Sequence, residues 1–152
     1  MTMSVGASGV WKQVQNISIG VSGVWKQVLN IWVGASGVWK LGYSALSVSL
    51  PASVSGNCSR TTAGSCSAST AEALATASGG SGSYSFAWSF VSGSNATITT
   101  PHSNGAVFTR SGAVANPANV LTGVFRCTVT DTVTGATASA TLDATTRHTL
   151  SV

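Results

Sequence analysis

The sequence predicts an all-β protein with two parts, a β-repeat region followed by an antiparallel β-sandwich. Residues 6–47 contain a repeated 14-residue unit rich in Val, Ile and Trp, which favour strands. Beyond about residue 45, short stretches alternate apolar and polar residues and are separated by Gly-rich turns. About seven such stretches at short spacing are typical of a sandwich. We therefore divide the chain into residues 1–44 and residues 45–152.

The repeat is defined by the sequence G-x-S-G-V-W-K, which occurs three times with a period of 14 residues. Its two glycines argue against a continuous helix, because each costs about 1 kcal/mol relative to Ala inside a helix. We expect short strands at Val10–Gln15 and Ile17–Ile19 and at their equivalents. Turns are expected at G-x-S-G and near Asn16 and Asn30, and irregular extended structure is the alternative.

The repeat region is expected to need a partner, because a strand pair of this length cannot bury its own apolar face. The partner is either further copies of the chain or a groove on another protein. In a homotrimeric shaft, the repeated tryptophans would form successive layers and the lysines would form rings. The residues expected at subunit or partner contacts are Val10, Trp11, Lys12, Val24, Trp25, Lys26, Val38, Trp39 and Lys40.

The repeated tryptophans and lysines each have an alternative interpretation. A column of Trp side chains offers a stacking surface for sugar rings, but protein interfaces bury Trp readily, and we favour subunit contact. A lysine can contact a phosphate as a point charge. An isolated lysine more often keeps a sheet edge soluble and unpaired, and we favour that interpretation here.

The composition argues against catalysis, metal binding and a cofactor. Only 7% of the residues are charged, against about 25% in typical domains. Two His, two Asp and one Glu leave few groups for acid–base or metal chemistry. No G-x-S-x-G motif lies between a strand and a helix, so no serine nucleophile is indicated. The scarcity of charge also predicts that other protein covers much of the surface.

The distribution of charge and apolar residues excludes two partner classes. Residues 1–71 contain four basic residues and no acidic one, which is too sparse for a nucleic-acid interface. No stretch approaches about 18 consecutive apolar residues, so no membrane span is expected. The N-terminus lacks the features of a signal peptide, which predicts synthesis in the cytoplasm.

Several element boundaries in the expected sandwich follow from composition. We expect a first strand in A-L-S-V-S-L-P-A-S-V-S-G and a loop or irregular hairpin in N-C-S-R-T-T-A-G-S-C-S-A-S-T. A loop is expected over residues 111–123, and the last strand over residues 136–144. Period-two alternation places one aromatic face on the central strand, formed by Tyr84, Phe86, Trp88 and Phe90. A later strand has one face formed by Phe125, Cys127, Val129 and Asp131.

The three cysteines allow one disulfide with one thiol left over. Cys58 and Cys66 lie eight residues apart across a Gly- and Ser-rich stretch, where a disulfide is sterically possible. The cytosol would keep the pair reduced, and an oxidising environment would close it, so both states are open. Neither histidine has a metal-ligand spacing to these cysteines.

The sandwich region resembles the immunoglobulin-like domains of bacteria and phages over roughly residues 48–145. The resemblance rests on Tyr84-x-Phe86-x-Trp88, on Phe125-x-Cys127-x-Val129-x-Asp131, on a T-G turn and on an alanine-rich last strand. It implies that Trp88, Phe125 and Cys127 belong to the core. The cysteine that usually pairs with the later strand is missing, since A-E-A-L-A-T-A-S offers Ala or Leu there. Cys127 is therefore expected to be a buried thiol.

The repeat region resembles, over residues 4–40, the G-V-S-G-V-W-K repeats of structural proteins in tailed bacteriophages. Together the two resemblances imply a non-enzymatic virion protein of the tail, tail tip or fibre, with the repeats as anchor and the sandwich projecting outward. The implied partners are other virion proteins (a tail hub, fibre or capsid), further copies in a trimer, and weakly bound host-surface glycans. The alternatives are a capsid decoration or head-fibre protein, and a carbohydrate-binding module that uses Tyr84, Trp88 or a repeat tryptophan.

Overall fold

All regular structure in the described part of the chain is β-strand. The computed structural model describes residues 4–7, 10–13, 18–21, 24–27, 30–35 and 38–151. Sixteen strands and no helix occur within these ranges, which confirms the all-β prediction.

Residues 4–44 contain three antiparallel hairpins, called the repeat hairpins below. The first joins β1 (Ser4–Ala7) to β2 (Val10–Gln13), and the second joins β3 (Ser18–Val21) to β4 (Val24–Gln27). The third joins β5 (Asn30–Ala35) to β6 (Val38–Ser44). In each hairpin, two residues of the G-x-S-G sequence separate the paired strands.

The strand boundaries in the repeat hairpins differ from the prediction at one place. The strand expected at Ile17–Ile19 instead spans Ser18–Val21, because it continues into the G-V-S-G sequence to pair with β4. Asn30 itself begins β5 and pairs with Ser44 at the end of the longer third hairpin, and the residues just before it, where a turn is expected, lie outside the described residues. The turn expected near Asn16 lies outside the described residues.

Ten further strands form residues 45–151, called the two-sheet region below. They are β7 (Ser47–Ser49), β8 (Ser53–Arg60), β9 (Ser65–Ser69), β10 (Ala73–Leu74), β11 (Thr76–Ser78), β12 (Tyr84–Gly93), β13 (Thr97–Thr99), β14 (Gly105–Ala113), β15 (Asn119–Asp131) and β16 (Thr137–Leu150).

The larger sheet has the strand order β12-β15-β16-β8, antiparallel except where β8 runs parallel to β16. In the second sheet, β14 pairs with β13 on one side and with β9 and β10 on the other. β7 pairs with β11 in a short ladder of its own. The chain before and after Pro51 thus contributes to two different ladders.

The core lies between these sheets and contains side chains from both. The Phe108 ring on β14 lies 4.3 Å from that of Phe125 on β15, and Trp88 on β12 meets Phe108 edge-on at 5.8 Å, both measured between ring centroids. The buried core residues are Val54, Ala73, Ala75, Trp88, Ala106, Phe108, Phe125, Cys127, Val129, Leu142 and Ala144. Alternate positions on each strand face inward, as a pleated strand requires.

Three boundary predictions in the two-sheet region are wrong. The expected first strand is split at Pro51, because proline has no N–H to continue a ladder. The last strand does not stop at Ala144 but continues to Leu150, because pairing with β8 extends over its second half. The loop expected at residues 111–123 is mostly strand, since β14 continues to Ala113 and β15 begins at Asn119.

Candidate functional site

The three repeat tryptophans occupy one and the same register position. Trp11 pairs with Gly6, Trp25 with Gly20 and Trp39 with Gly34. Each tryptophan therefore lies opposite a glycine, which has no side chain to pack against its neighbour. The register places one large aromatic residue at an equivalent point of every hairpin.

The lysine and valine positions repeat in the same way. Lysine lies opposite a branched apolar residue in each hairpin, in the pairs Val5–Lys12, Ile19–Lys26 and Val33–Lys40. The valine next to the turn lies opposite a small or branched residue, in the pairs Ala7–Val10, Val21–Val24 and Ala35–Val38. Because adjacent strand positions belong to opposite faces, the tryptophan and lysine positions belong to opposite faces of each hairpin.

Each repeat hairpin is a separate two-stranded sheet among the described residues. An isolated two-stranded hairpin is at best marginally stable in water. Its outer edges also carry backbone N–H and C=O groups that can pair with a further strand. The nine residues expected at subunit contacts thus lie on elements that have both an open edge and a repeated aromatic position.

Trp88 is buried in the core rather than exposed as a binding platform. Its side chain is 6% exposed, and its Nε1–H donates a hydrogen bond to the Ser103 carbonyl at 2.9 Å. The half-buried Tyr84 hydroxyl donates to the Gly79 carbonyl. A Trp88 surface for a sugar ring is therefore excluded, and that part of the carbohydrate-binding alternative is wrong.

Phe125 and Cys127 are fully buried on β15, and Cys127 is in register with Trp88 on β12. Burial raises the pKa of the Cys127 thiol to about 11, against a smaller opposing effect of a hydrogen bond with the Ala87 backbone. A protonated, buried thiol is a poor nucleophile and a poor metal ligand. Cys127 therefore acts as a small apolar core residue.

A disulfide joins Cys58 on β8 to Cys66 on β9, with an S–S distance of 2.00 Å and a Cα–Cα distance of 6.3 Å. The bond connects strands of different sheets. Nearby, the Ala71 N–H donates to the Ser55 carbonyl at 3.0 Å. At Gly56, an added Cβ would lie 1.8 Å from the Ser69 carbonyl oxygen, so only glycine permits this approach. The disulfide and the close backbone contacts thus join β8 of one sheet to β9 and the residues after it, and this junction is called the closed side of the two-sheet region.

Arg110 is a buried cation that sequence reasoning missed. Its side chain is 5% exposed, and its guanidinium lies 5.6 Å from the Phe125 ring centroid. It donates hydrogen bonds to the backbone carbonyls of Ser94, Asn95, Leu121 and Ala144. Burial lowers the pKa of Arg110. Arg110 lies two residues after the inward-facing Phe108 on the same strand. Period-two alternation therefore could have predicted that the Arg110 side chain faces inward.

Asp131 is a fully buried carboxylate that connects two turns. It accepts hydrogen bonds from the Ser81 N–H and hydroxyl and from the N–H groups of Val133 and Thr134. Burial alone would raise the pKa of the Asp131 carboxyl, but these hydrogen bonds outweigh burial and hold the pKa well below its ordinary value. The arrangement supports a structural role, since every donor belongs to the turns themselves.

His148 is a second buried polar residue that the sequence did not reveal. Its Nε2 lies 3.2 Å from the Arg110 carbonyl oxygen, and its Nδ1 has no partner among the described residues. The ring lies against Gly112, where an added Cβ would lie 2.9 Å from Nδ1. The histidine fills a space that a larger residue at position 112 would close.

Within the described residues, no three His, Cys, Asp or Glu side chains come together to hold a metal ion. No helix of the described chain is long and apolar enough to cross a membrane. Comparisons with models of known protein families, with curated proteins and with solved structures found no match for this chain.

Proposed function

We propose that this chain is a non-enzymatic structural protein of a phage virion. In this proposal, residues 1–44 anchor and oligomerise the chain, and residues 45–152 form an immunoglobulin-like domain that projects outward. The observation that carries the proposal is the identical register of the three repeat hairpins, each with a tryptophan opposite a glycine. A regular series of equivalent, open-edged units suits assembly better than catalysis.

The strand order supports the immunoglobulin-like assignment. Immunoglobulin-type domains have one sheet of strands A, B, E and D and another of C, F and G. The ladders β7–β11, β10–β14 and β14–β13 correspond to the first set, and β12-β15-β16 corresponds to the second. β8 is then the second half of strand A, added in parallel beside strand G. The buried Trp88 on the third strand of this scheme adds to the likeness.

The mechanism we propose is burial of the repeat hairpins between copies of the chain. Three copies would surround a common axis, and the equivalent tryptophan positions would then meet in layers along it. Edge pairing between copies would satisfy the backbone groups that each isolated hairpin leaves open. The other partners in this proposal are virion proteins of the tail hub, fibre or capsid, and host-surface glycans would be contacted weakly.

The assembly step is tested by the molar mass of the full chain in solution. We expect a trimer, with three times the 15.2 kDa mass of the chain. Replacing Trp11, Trp25 and Trp39 together with Ser should give a monomer, because it removes the largest apolar groups of the interface. Replacing the exposed apolar residues Leu74, Val120 and Val133, which lie outside the repeat hairpins, with Ser is the matched control and should leave the trimer intact. A monomeric unchanged chain, or a trimer that survives the tryptophan changes, would contradict the proposal.

The location is tested by gold-labelled antibody against residues 45–152 on purified particles. Label at the tail or its tip supports the proposed position, with synthesis in the host cytoplasm before assembly. Label spread over the head would favour the alternative of a capsid decoration or head-fibre protein, which uses the same repeat hairpins as an anchor. No label on any particle would overturn both virion roles.

A further inference from the structure

A polar cleft of about 340 Å³ opens where β13 stops pairing with β14. The last register pair with β13 is Thr97–Thr109, so the rest of β14 pairs with β9 on one side and has no described strand on the other. The cleft is lined by Asn95, Ala96, Thr97, Thr109, Arg110, Ser111 and Leu121.

The lining is rich in hydrogen-bond donors and contains no acidic residue. Three of its side chains carry hydroxyl groups, one carries an amide and one a guanidinium. The hydroxyls of Thr109 and Ser111 are held in place by Ser69 and Ser67, at 2.8 and 2.7 Å. These two hydroxyls are thus engaged with β9, and the side-chain donors that remain for a ligand are the Asn95 amide N–H groups and the Thr97 hydroxyl.

Arg110 makes this cleft electrostatically unusual. Buried charges in proteins are normally paired with an opposite charge. Every hydrogen bond of this guanidinium within residues 38–151 goes to a backbone carbonyl, and none goes to a carboxylate. Carbonyl groups satisfy the N–H donors but leave the net positive charge in place. The direction of the Arg110 pKa change agrees, since burial lowers it without an opposing anion.

We propose that this cleft binds an oxyanion, namely a carboxylate, sulfate or phosphate group of a small ligand. The uncompensated charge of Arg110 supplies the attraction, and the side chains of Asn95 and Thr97 supply directional hydrogen bonds. The cleft volume has room for such a group together with a small attached moiety. This site is independent of the assembly role, because it uses no residue of the repeat hairpins.

The experiment is a titration of the isotopically labelled full chain with sodium sulfate, phosphate and acetate, followed by amide NMR. Chloride at equal ionic strength is the reference. We expect saturable shifts confined to the amides of residues 95–97 and 109–111 with at least one anion. Which anion gives them distinguishes a tetrahedral from a planar oxyanion. Shifts that are absent, unsaturable or spread over the chain with all three anions would overturn the proposal.

Variants that leave Arg110 in place make the test specific. Thr97→Val and Asn95→Ala should each lower the affinity for the anion by about tenfold, because each variant loses one hydrogen bond to a charged group. Thr128→Val, on the other sheet, is the matched control and should not change affinity. Arg110→Gln should abolish binding if the variant stays folded, and Arg126→Gln controls for the lost charge. Unchanged affinity in both Thr97→Val and Asn95→Ala would overturn the site.

Discussion

The repeat hairpins and the two-sheet region use strands in opposite ways. In the repeat hairpins, each strand pairs with its immediate neighbour in the chain, as β1 does with β2. In the two-sheet region, β8 pairs with β16, which lies at the far end of the same region. Pairing between neighbouring strands closes only a short loop and buries little apolar surface. Pairing between strands distant in sequence costs more loop-closure entropy but can enclose a core. Within the residues whose burial is described, 44–151, the long-range pairing encloses a core of buried side chains.

The largest expected effect tests whether the core of the two-sheet region can be weakened without disturbing assembly through the repeat hairpins. Phe108→Ala should lower the free energy of unfolding by about 3–5 kcal/mol, because it leaves a cavity between Trp88 and Phe125. Thermal denaturation followed by tryptophan fluorescence measures the change. Phe90→Ala is the control, since that ring is 40% exposed and its loss should cost much less. The trimer mass should not change at temperatures where the variant remains folded, and dissociation there would contradict the comparison.

The next effect concerns the closed side of the two-sheet region. Reduction of the Cys58–Cys66 disulfide should lower the free energy of unfolding by about 2–3 kcal/mol, since the bond closes a short loop and restricts the unfolded chain. Chemical denaturation with and without a thiol reductant measures it. The double variant Cys58→Ser, Cys66→Ser should have the same free energy of unfolding as the reduced protein, and adding the reductant should not change it. If oxidised and reduced forms unfold at the same denaturant concentration, the closed side does not stabilise the fold.

The last effect concerns Asp131, and it becomes the smallest as the pH falls. Asp131→Asn should cost about 1.5–3 kcal/mol at neutral pH, because it weakens hydrogen bonds from Ser81 and two turn amides to a charged acceptor. The folded pKa lies below the unfolded value of about 3.9. The stabilisation is therefore complete above that unfolded value and is lost as the pH falls through the lower folded pKa.

The exposed Asp143 provides the control for this pH dependence. Denaturation of Asp131→Asn, Asp143→Asn and the unchanged chain from pH 7 to pH 2 compares the two positions. The difference between Asp131→Asn and the unchanged chain should shrink below about pH 4. A difference that stays constant over this range would mean that the ionised carboxylate is not the stabilising form.

Strand class and inward-facing apolar positions were predictable because period two is a local property of the sequence. Phe86, Trp88 and Phe125 follow it directly. The buried Arg110 and His148 also lie on inward positions, but an apolar criterion assigns charged or polar residues to the surface. Their burial depends on carbonyl groups and a glycine brought together by the fold, which no local pattern contains. The length of β16 was missed for the same reason, since its partner β8 lies distant in sequence.

The parallel pairing of β8 with β16 has a mechanical consequence. The two strands share eight register pairs, from Ser53–Asp143 to Arg60–Leu150. The chain enters this ladder at the N-terminal end of β8 and leaves it at the opposite end, at the C-terminal end of β16. A pulling force between the N-terminal end of β8 and the C-terminal end of β16 would therefore load the hydrogen bonds in shear, all at once rather than one after another. A domain connected in this way resists tension along the chain.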